Sequence, residues 1–188
     1  DRSPSRGLGD VYKRQNEGFW YPKVNLDKCI NCRLCEKVCP MLHLDTLHSY
    51  GQREPKVYGG FHKNIAIRFD STSGGAFSAL ANAMYKNGGY VSGAVFNEDW
   101  TVSNYISNNK KDLPRLRSSK YVESNAEGLY KEIKRLLNAG EKVLACGAPC
   151  QMAALRTYLG KEYENLVIVD FLCRCLLYTS PSPRDGLL

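Results

Sequence analysis

The chain has 188 residues, of which 43% are hydrophobic, and a formal net charge of +7. That is enough apolar material for a core, yet no run approaches the ~18 apolar residues of a membrane-crossing helix. The positive charge is modest and forms no dense Lys/Arg block, which speaks against nucleic acid as a partner.

The two ends are read first, because they decide what belongs to the fold. Ser5 to Gln15 reads SRGLGDVYKRQ, and Cys175 to Asp185 reads CLLYTSPSPRD. A coding sequence for the second segment, reverse-complemented and read in a shifted frame, translates as SRGLGDVYKR. The ends therefore look like opposite strands of one DNA element, resembling the transposon-end adapter of sequencing libraries. Residues 1–15 and 175–188 are set aside as adapter-derived, which removes Cys175 from the ligand candidates. The body is expected to be a gene fragment cut at both sides.

Asn16 to Asp27 is a polar-aromatic lead-in. It runs into Cys29-Ile30-Asn31-Cys32-Arg33-Leu34-Cys35-Glu36-Lys37-Val38-Cys39-Pro40, with cysteines at offsets 0, 3, 6 and 10. This is the bacterial ferredoxin spacing for a 4Fe-4S cluster. The run wraps three thiolates around three corners of the cube, while the fourth cysteine points elsewhere. Cys29, Cys32 and Cys35 are thus read as ligands of one cluster and Cys39 as donor to a second. The other ligands of that second cluster are expected upstream of the cut; without them Cys39 is an unpaired thiol or the local fourth ligand. A zinc site would use two separated Cys-x-x-Cys pairs. Disulfides would suit a secreted domain, and no signal peptide is visible. Eight cysteines, four of them in this run, point to a reducing compartment, most simply the cytoplasm. His43 and His48 receive no role.

Residues 16–50 are read as the second half of a ferredoxin-type module and residues 51–63, with Gly51, Pro55 and Gly59-Gly60, as a linker. Residues 64–174 are then a partial α/β domain. In it Ile65 to Phe69 alternates like a strand, Asp70 to Gly75 is a polar turn, and Ala76 to Asn87 carries Phe77, Leu80, Ala81 and Met84 at helical spacing. Tyr90 to Phe96 is strand-like, and Thr101 to Ser107 is its hairpin partner. Asn108 to Arg117 reads as a solvated loop or short helix. Asn125 to Ala139 is an amphipathic helix with Leu129, Ile133, Leu136 and Leu137 on one face. A strand at Lys142 to Cys146, a helix at Gln151 to Leu159 and a buried strand at Leu166 to Leu172 complete a pattern that argues for a partly parallel sheet.

Three stretches carry further chemistry. The turn Ser71-Thr72-Ser73-Gly74-Gly75 before a helix is either an anion site or simply a capped helix start. Lys120 in Ser-Lys-Tyr is either a charge for phosphate or reduced flavin, or a solvated lysine. Cys150 follows a strand at a helix start, where thiol pKa falls, and Cys173 ends the next strand; both are metal-ligand candidates or core cysteines. If those strands are parallel neighbours, the two cysteines project on the same side.

Taken together the motifs resemble the coenzyme F-420 (deazaflavin) hydrogenase/dehydrogenase beta-subunit family. The matching residues are Gly18, Phe19, Tyr21 and Pro22; Ser71, Ser73, Gly74, Gly75 and Phe77; and Gly88, Gly89, Val91, Gly93 and Ala94. They continue through Ser119 to Tyr121, then Gly147, Pro149, Cys150 and Gln151, then Asp170, Phe171 and Cys173. The resemblance implies an iron-sulfur flavoprotein oxidoreductase with two or more 4Fe-4S clusters in the full-length protein. In it FAD exchanges a hydride with a soluble carrier or substrate, and clusters pass electrons to a redox partner protein or carrier. It implies flavin contacts at Ser73, Gly74, Gly75 and Lys120, and makes Cys150 and Cys173 candidates for a further cluster. Where many relatives continue D-F-x-C-H-G, Arg174 stands after Cys173. The fold expected is a small ferredoxin-like 4Fe-4S module followed by a truncated α/β flavoprotein-type domain. The alternatives are a non-catalytic electron-transfer module and a redox accessory protein of surface-polysaccharide (pyruvyl transfer) synthesis.

Overall fold

The computed structural model describes residues 12–14, 20–22, 24–37, 39, 42 and 56–173. His43, His48 and residues 51–55 of the expected linker lie outside them. Two short strands, β1 (Tyr12–Arg14) and β2 (Trp20–Pro22), pair antiparallel. This pairing draws in Tyr12–Arg14, which belong to the N-terminal segment assigned to the adapter. The cysteine run follows, with one turn of helix, α1 (Leu34–Lys37).

The stretch expected to be a strand at Ile65 to Phe69 is a helix, α2 (Ile65–Phe69). Alternation of apolar residues over so short a span does not separate the two states. The preceding residue decides it: Asn64 Oδ1 accepts from the backbone N–H groups of Ala66 at 2.9 Å and Ile67 at 3.3 Å, an N-cap that satisfies otherwise orphaned donors. After the Asp70–Gly75 turn comes α3 (Ala76–Lys86), with Ser78 and Ala81 buried. Phe77 and Met84 pack against the core as their spacing requires, whereas Leu80 is exposed.

The α/β unit has a five-stranded sheet ordered β5-β4-β3-β6-β7. Its strands are β3 (Tyr90–Phe96), β4 (Val102–Ser107), β5 (Ser124–Asn125), β6 (Val143–Gly147) and β7 (Leu166–Asp170). β3 and β4 form the expected antiparallel hairpin, in register from Val91–Ser107 to Phe96–Val102. β3 pairs parallel with β6, and β6 parallel with β7. β3 is admitted to this position by Gly89. A Cβ there would lie 2.9 Å from the Lys142 carbonyl oxygen, the same oxygen that accepts the Tyr90 N–H at 2.7 Å.

The strand period of two sorts β6 between two apolar clusters. Val143 and Ala145 face one with Ile133, Leu136 and Leu155. Leu144 faces the other with Ala81, Val91, Val95, Leu113 and Leu116. α5 (Leu129–Asn138) and α6 (Pro149–Leu159) supply the first cluster. α3 and the short α4 (Leu113–Leu116) supply the second. The α5 stripe of Leu129, Ile133, Leu136 and Leu137 is buried as its periodicity demands. The helix starts later than expected, because Ser124–Asn125 pairs with β4 and Gly128, at φ 75°, precedes the first turn. β7 also differs from expectation. It is an outer strand of the sheet and ends at Asp170, and none of its residues is buried.

Candidate functional site

The cysteine run is shaped by its backbone. Asn31 and Arg33 both sit at φ 53°, in the left-handed region, on either side of Cys32. Alternation of this kind curls the chain and turns backbone N–H groups inward, a geometry suited to anionic iron-sulfur sites. The Asn31 N–H already donates to Cys29 Sγ at 3.4 Å. The Cys39 N–H donates to the Glu36 carbonyl at 3.2 Å, which closes the α1 turn. All four thiols are free; Cys29 and Cys32 are exposed, and Cys35 and Cys39 half-buried. Four reachable soft thiolate donors with N–H support fit a 4Fe-4S cluster by chemistry. Among the described residues no group of three or more His, Cys, Asp or Glu side chains is drawn together closely enough to hold a metal ion. The donors are thus present in sequence order, without being closed around a centre.

The second set of candidates gathers at one edge of the sheet. Because β3, β6 and β7 run parallel, their last residues Phe96, Gly147 and Asp170 lie toward the same edge, where α/β sheets bind ligands. Cys150 is the second residue of α6, and Cys173 stands just beyond β7. The condition that their strands be parallel neighbours is met. Both are exposed, which overturns the alternative that they are core cysteines. The thiol of this edge that is withdrawn from solvent is Cys146, which is half-buried. Burial pushes its pKa up to about 11, Asp170 adds to the rise, and Lys120 opposes it.

Lys120 is half-buried. Its Nζ donates to the carbonyl oxygens of Arg115 at 2.8 Å and Arg117 at 2.6 Å. Burial nevertheless lowers its pKa to about 8, with Cys146 pulling the other way. It borders an open cleft of about 330 Å³ with Phe96, Arg115 and Arg117 through Ser119. The structure brings this segment to the Ser71–Gly75 turn. The Ser119 N–H donates to Thr72 Oγ1 at 2.8 Å, and Ser118 Oγ donates to the Asp70 carbonyl at 2.7 Å. The two motifs are far apart in the chain and adjacent in space.

The glycines of that turn have a packing role. A Cβ on Gly74 would come 3.0 Å from the Gly60 carbonyl oxygen, and one on Gly75, at φ 82°, equally close to His62 Cβ. The His62 N–H donates to the Gly74 carbonyl at 2.7 Å. Ser73 is exposed. Gly75 at the N-cap offers no side-chain cap to α3, which leaves the backbone N–H groups of its first turn, among the described residues, available to an anion beside the Arg117 guanidinium. That arrangement fits the phosphate end of a nucleotide cofactor.

Arg117 and Ser118 escape a reading of the sequence, where they look like ordinary loop residues. The available signal is position: Arg117 and Ser118 directly precede the Ser119-Lys120-Tyr121 motif. Gln151, by contrast, is occupied structurally. Its Oε1 accepts the Ala148 N–H at 3.2 Å, and its Nε2 donates to Ser124 Oγ at 3.0 Å.

Residues 20–41 match the 4Fe-4S binding domain family. The chain is similar to a subunit of the F(420)H(2) dehydrogenase of Methanosarcina mazei, at 24% identity over 148 residues, 77% of this chain and 41% of that protein. It is also similar to the coenzyme F420-dependent sulfite reductase of Methanocaldococcus jannaschii. There the identity is 28% over 142 residues, covering 72% of this chain and 21% of that protein. Both of these relatives are F420-linked by name, which agrees with the resemblance read from the motifs. Both similarities are too long to stop at the cysteine run, and so extend into the α/β unit. The chain spans about two fifths and one fifth of the length of these two proteins. Among solved structures, the F420-reducing NiFe hydrogenase complex from Methanosarcina barkeri aligns over 51% of this chain and 34% of its own, at 20% identity and TM-score 0.42. Among the described residues no helix is long and apolar enough to cross a membrane.

Proposed function

We propose that the chain is part of an iron-sulfur flavoprotein oxidoreductase of the beta-subunit type, passing electrons between 4Fe-4S clusters and FAD. The observation that carries this reading is a pairing. A four-cysteine run inside a matched 4Fe-4S domain precedes an α/β unit whose strand-end edge gathers a half-buried lysine, an arginine and an uncapped helix start.

In this reading Cys29, Cys32 and Cys35 hold one cluster, and Cys39 donates to a second. Cys150 and Cys173, exposed at one sheet edge, are ligands of a further cluster. Ser73, Gly74, Gly75 and the first turn of α3 donate to the flavin phosphates. Lys120 sets a positive charge beside the isoalloxazine. FAD, when bound, supplies the exchange between hydride and single-electron chemistry. The chain's own part is positional and electrostatic: Lys120 is fixed by two carbonyls, and its proton is held loosely enough to respond to a nearby charge. The acceptor or donor is a redox partner protein or a soluble carrier, the deazaflavin being the family's example.

Anaerobic purification tests both cofactors. The expected protein is brown, with a broad absorbance near ~400 nm, acid-labile sulfide, and flavin released on acid extraction or taken up on reconstitution. A colourless zinc-loaded protein overturns the cluster assignment. A cluster-bearing protein that refuses FAD overturns the flavin half and leaves an electron-transfer module.

A further inference from the structure

Arg117 has no role in the reading above beyond its charge, yet its side chain joins a helix and a turn at this edge. Its side chain is 11% exposed. The Nε donates to Ser78 Oγ at 3.0 Å, and Ser78, on α3, is fully buried. The Nη1 pairs with Asp70 Oδ2 at 3.0 Å, at the start of the Ser71–Gly75 turn. On the other side of the same residue, the carbonyl oxygen accepts from Lys120 Nζ at 2.6 Å. The next two residues bond the same turn, Ser118 to the Asp70 carbonyl and Ser119 to Thr72.

We propose that Arg117 is a positioning residue, which clasps the Asp70–Thr72 turn and α3 with its side chain while its carbonyl anchors the Lys120 ammonium at the cleft. The planar guanidinium suits this task. It presents several N–H groups in fixed directions, so it serves Ser78 and Asp70 together. A lysine offers one point charge and cannot span both. The consequence is that loop position and lysine position are set by one residue. If the clasp opens, the turn separates from the segment Arg117–Lys120, and the ammonium gains water. This inference rests on Lys120 being the charge that faces the bound ligand; its test does not require the ligand.

The charged and titratable groups around Lys120 are Arg115 and Arg117 on its own segment, Cys146 on β6 with Asp170 of β7 beyond it, and Asp70 across the clasp. The whole chain is labelled with 13C at lysine Cε. The titration of Lys120 is followed by NMR and assigned by its disappearance in Lys120→Met. In the unsubstituted chain the midpoint falls near 8, where burial places it. In Arg117→Ala the midpoint moves up by at least tenfold in proton affinity, toward the ordinary lysine value of ~10.4. Arg117→Lys moves it partway. Asp70→Asn is the safeguard against a misfolded Arg117→Ala. The Asp70 side chain is largely exposed, so the core is untouched, and a smaller upward shift is expected.

A folded Arg117→Ala with the midpoint unmoved, or full restoration by Arg117→Lys, overturns the clasp. If Arg117→Ala does not fold, an unmoved Asp70→Asn overturns it. Flavin content is read separately, so a chain that never binds FAD counts against the proposed function while the lysine titration still decides this inference.

Discussion

The cysteine run and the sheet are built on opposite terms. From Val24 to Leu42 every described residue is exposed or half-buried, and the α1 turn contributes no buried side chain. In the α/β unit, Val91, Val143, Ala145, Ile133 and Leu155 have no measurable exposure, and each face of the sheet has its own apolar cluster. The sheet is held by removing apolar surface from water. The run offers thiols and backbone N–H groups, and its order has to come from what those groups bind, because metal-site free energy is folding free energy in such segments. One region is a scaffold in its own right; the other is completed by its cluster.

The most forceful way to break this contrast is to strip the iron. Chelation under anaerobic conditions is expected to abolish the ~400 nm band entirely and to open residues 24–42 to protease, while the far-UV circular dichroism of the sheet persists. Collapse of the sheet on chelation would show that the two regions are one cooperative unit. The converse is Ile133→Ala, which empties a fully buried position on α5. It should cost about 2–5 kcal/mol in denaturant unfolding and leave the absorbance per iron unchanged. A smaller effect is expected from Gln151→Ala, which loses the bonds to Ala148 and Ser124 at the start of α6. Its cost of about 0.5–2 kcal/mol should appear in the same unfolding curve, and no change would mean that Pro149 alone fixes that turn.

The smallest effect is in pH. Lys120 has a folded pKa near 8 against 10.5 when unperturbed, so between those values the unfolded chain binds more protons. Its contribution to stability therefore rises with pH across that window. Cys146 acts oppositely, with a folded pKa near 11 against 9.0, so its contribution falls as pH climbs from 9 to 11. The chain should gain stability from pH 8 to 9 and level off above that. Cys146→Ala should remove the levelling, and a flat profile in that variant would contradict a half-buried Lys120.

How far the sequence reveals these regions follows from the range of the interactions concerned. The cysteine spacing is local chemistry and can be read directly. The β3–β4 hairpin and the α5 stripe are periodicities within one segment, and both stand. Ile65–Phe69 misleads because its alternation is too short to outweigh the cap at Asn64 that settles it. Ser124–Asn125 is a strand only because β4 lies alongside, a fact no window around Ser124 contains. β7 is apolar enough to read as buried, but exposure depends on strand order. The site divides in the same way. Lys120 and the Ser71–Gly75 turn can be picked out one by one; their adjacency comes from Ser119 meeting Thr72 and Arg117 meeting Asp70. Those contacts are long-range, so Arg117 passes unnoticed.

The central pairing of β3 with β6 also sets a timetable for synthesis. By the time Ser107 has left the ribosome, only the hairpin can close. The sheet cannot acquire the apolar cluster of Ile133, Leu136 and Leu155 until Val143–Gly147 and its flanking helices have emerged. Contacts so distant in sequence are slow to form and leave apolar faces uncovered meanwhile. The four cysteines of the run emerge well before that moment, so a nascent chain exposes these thiols before it has a folded domain to attach them to.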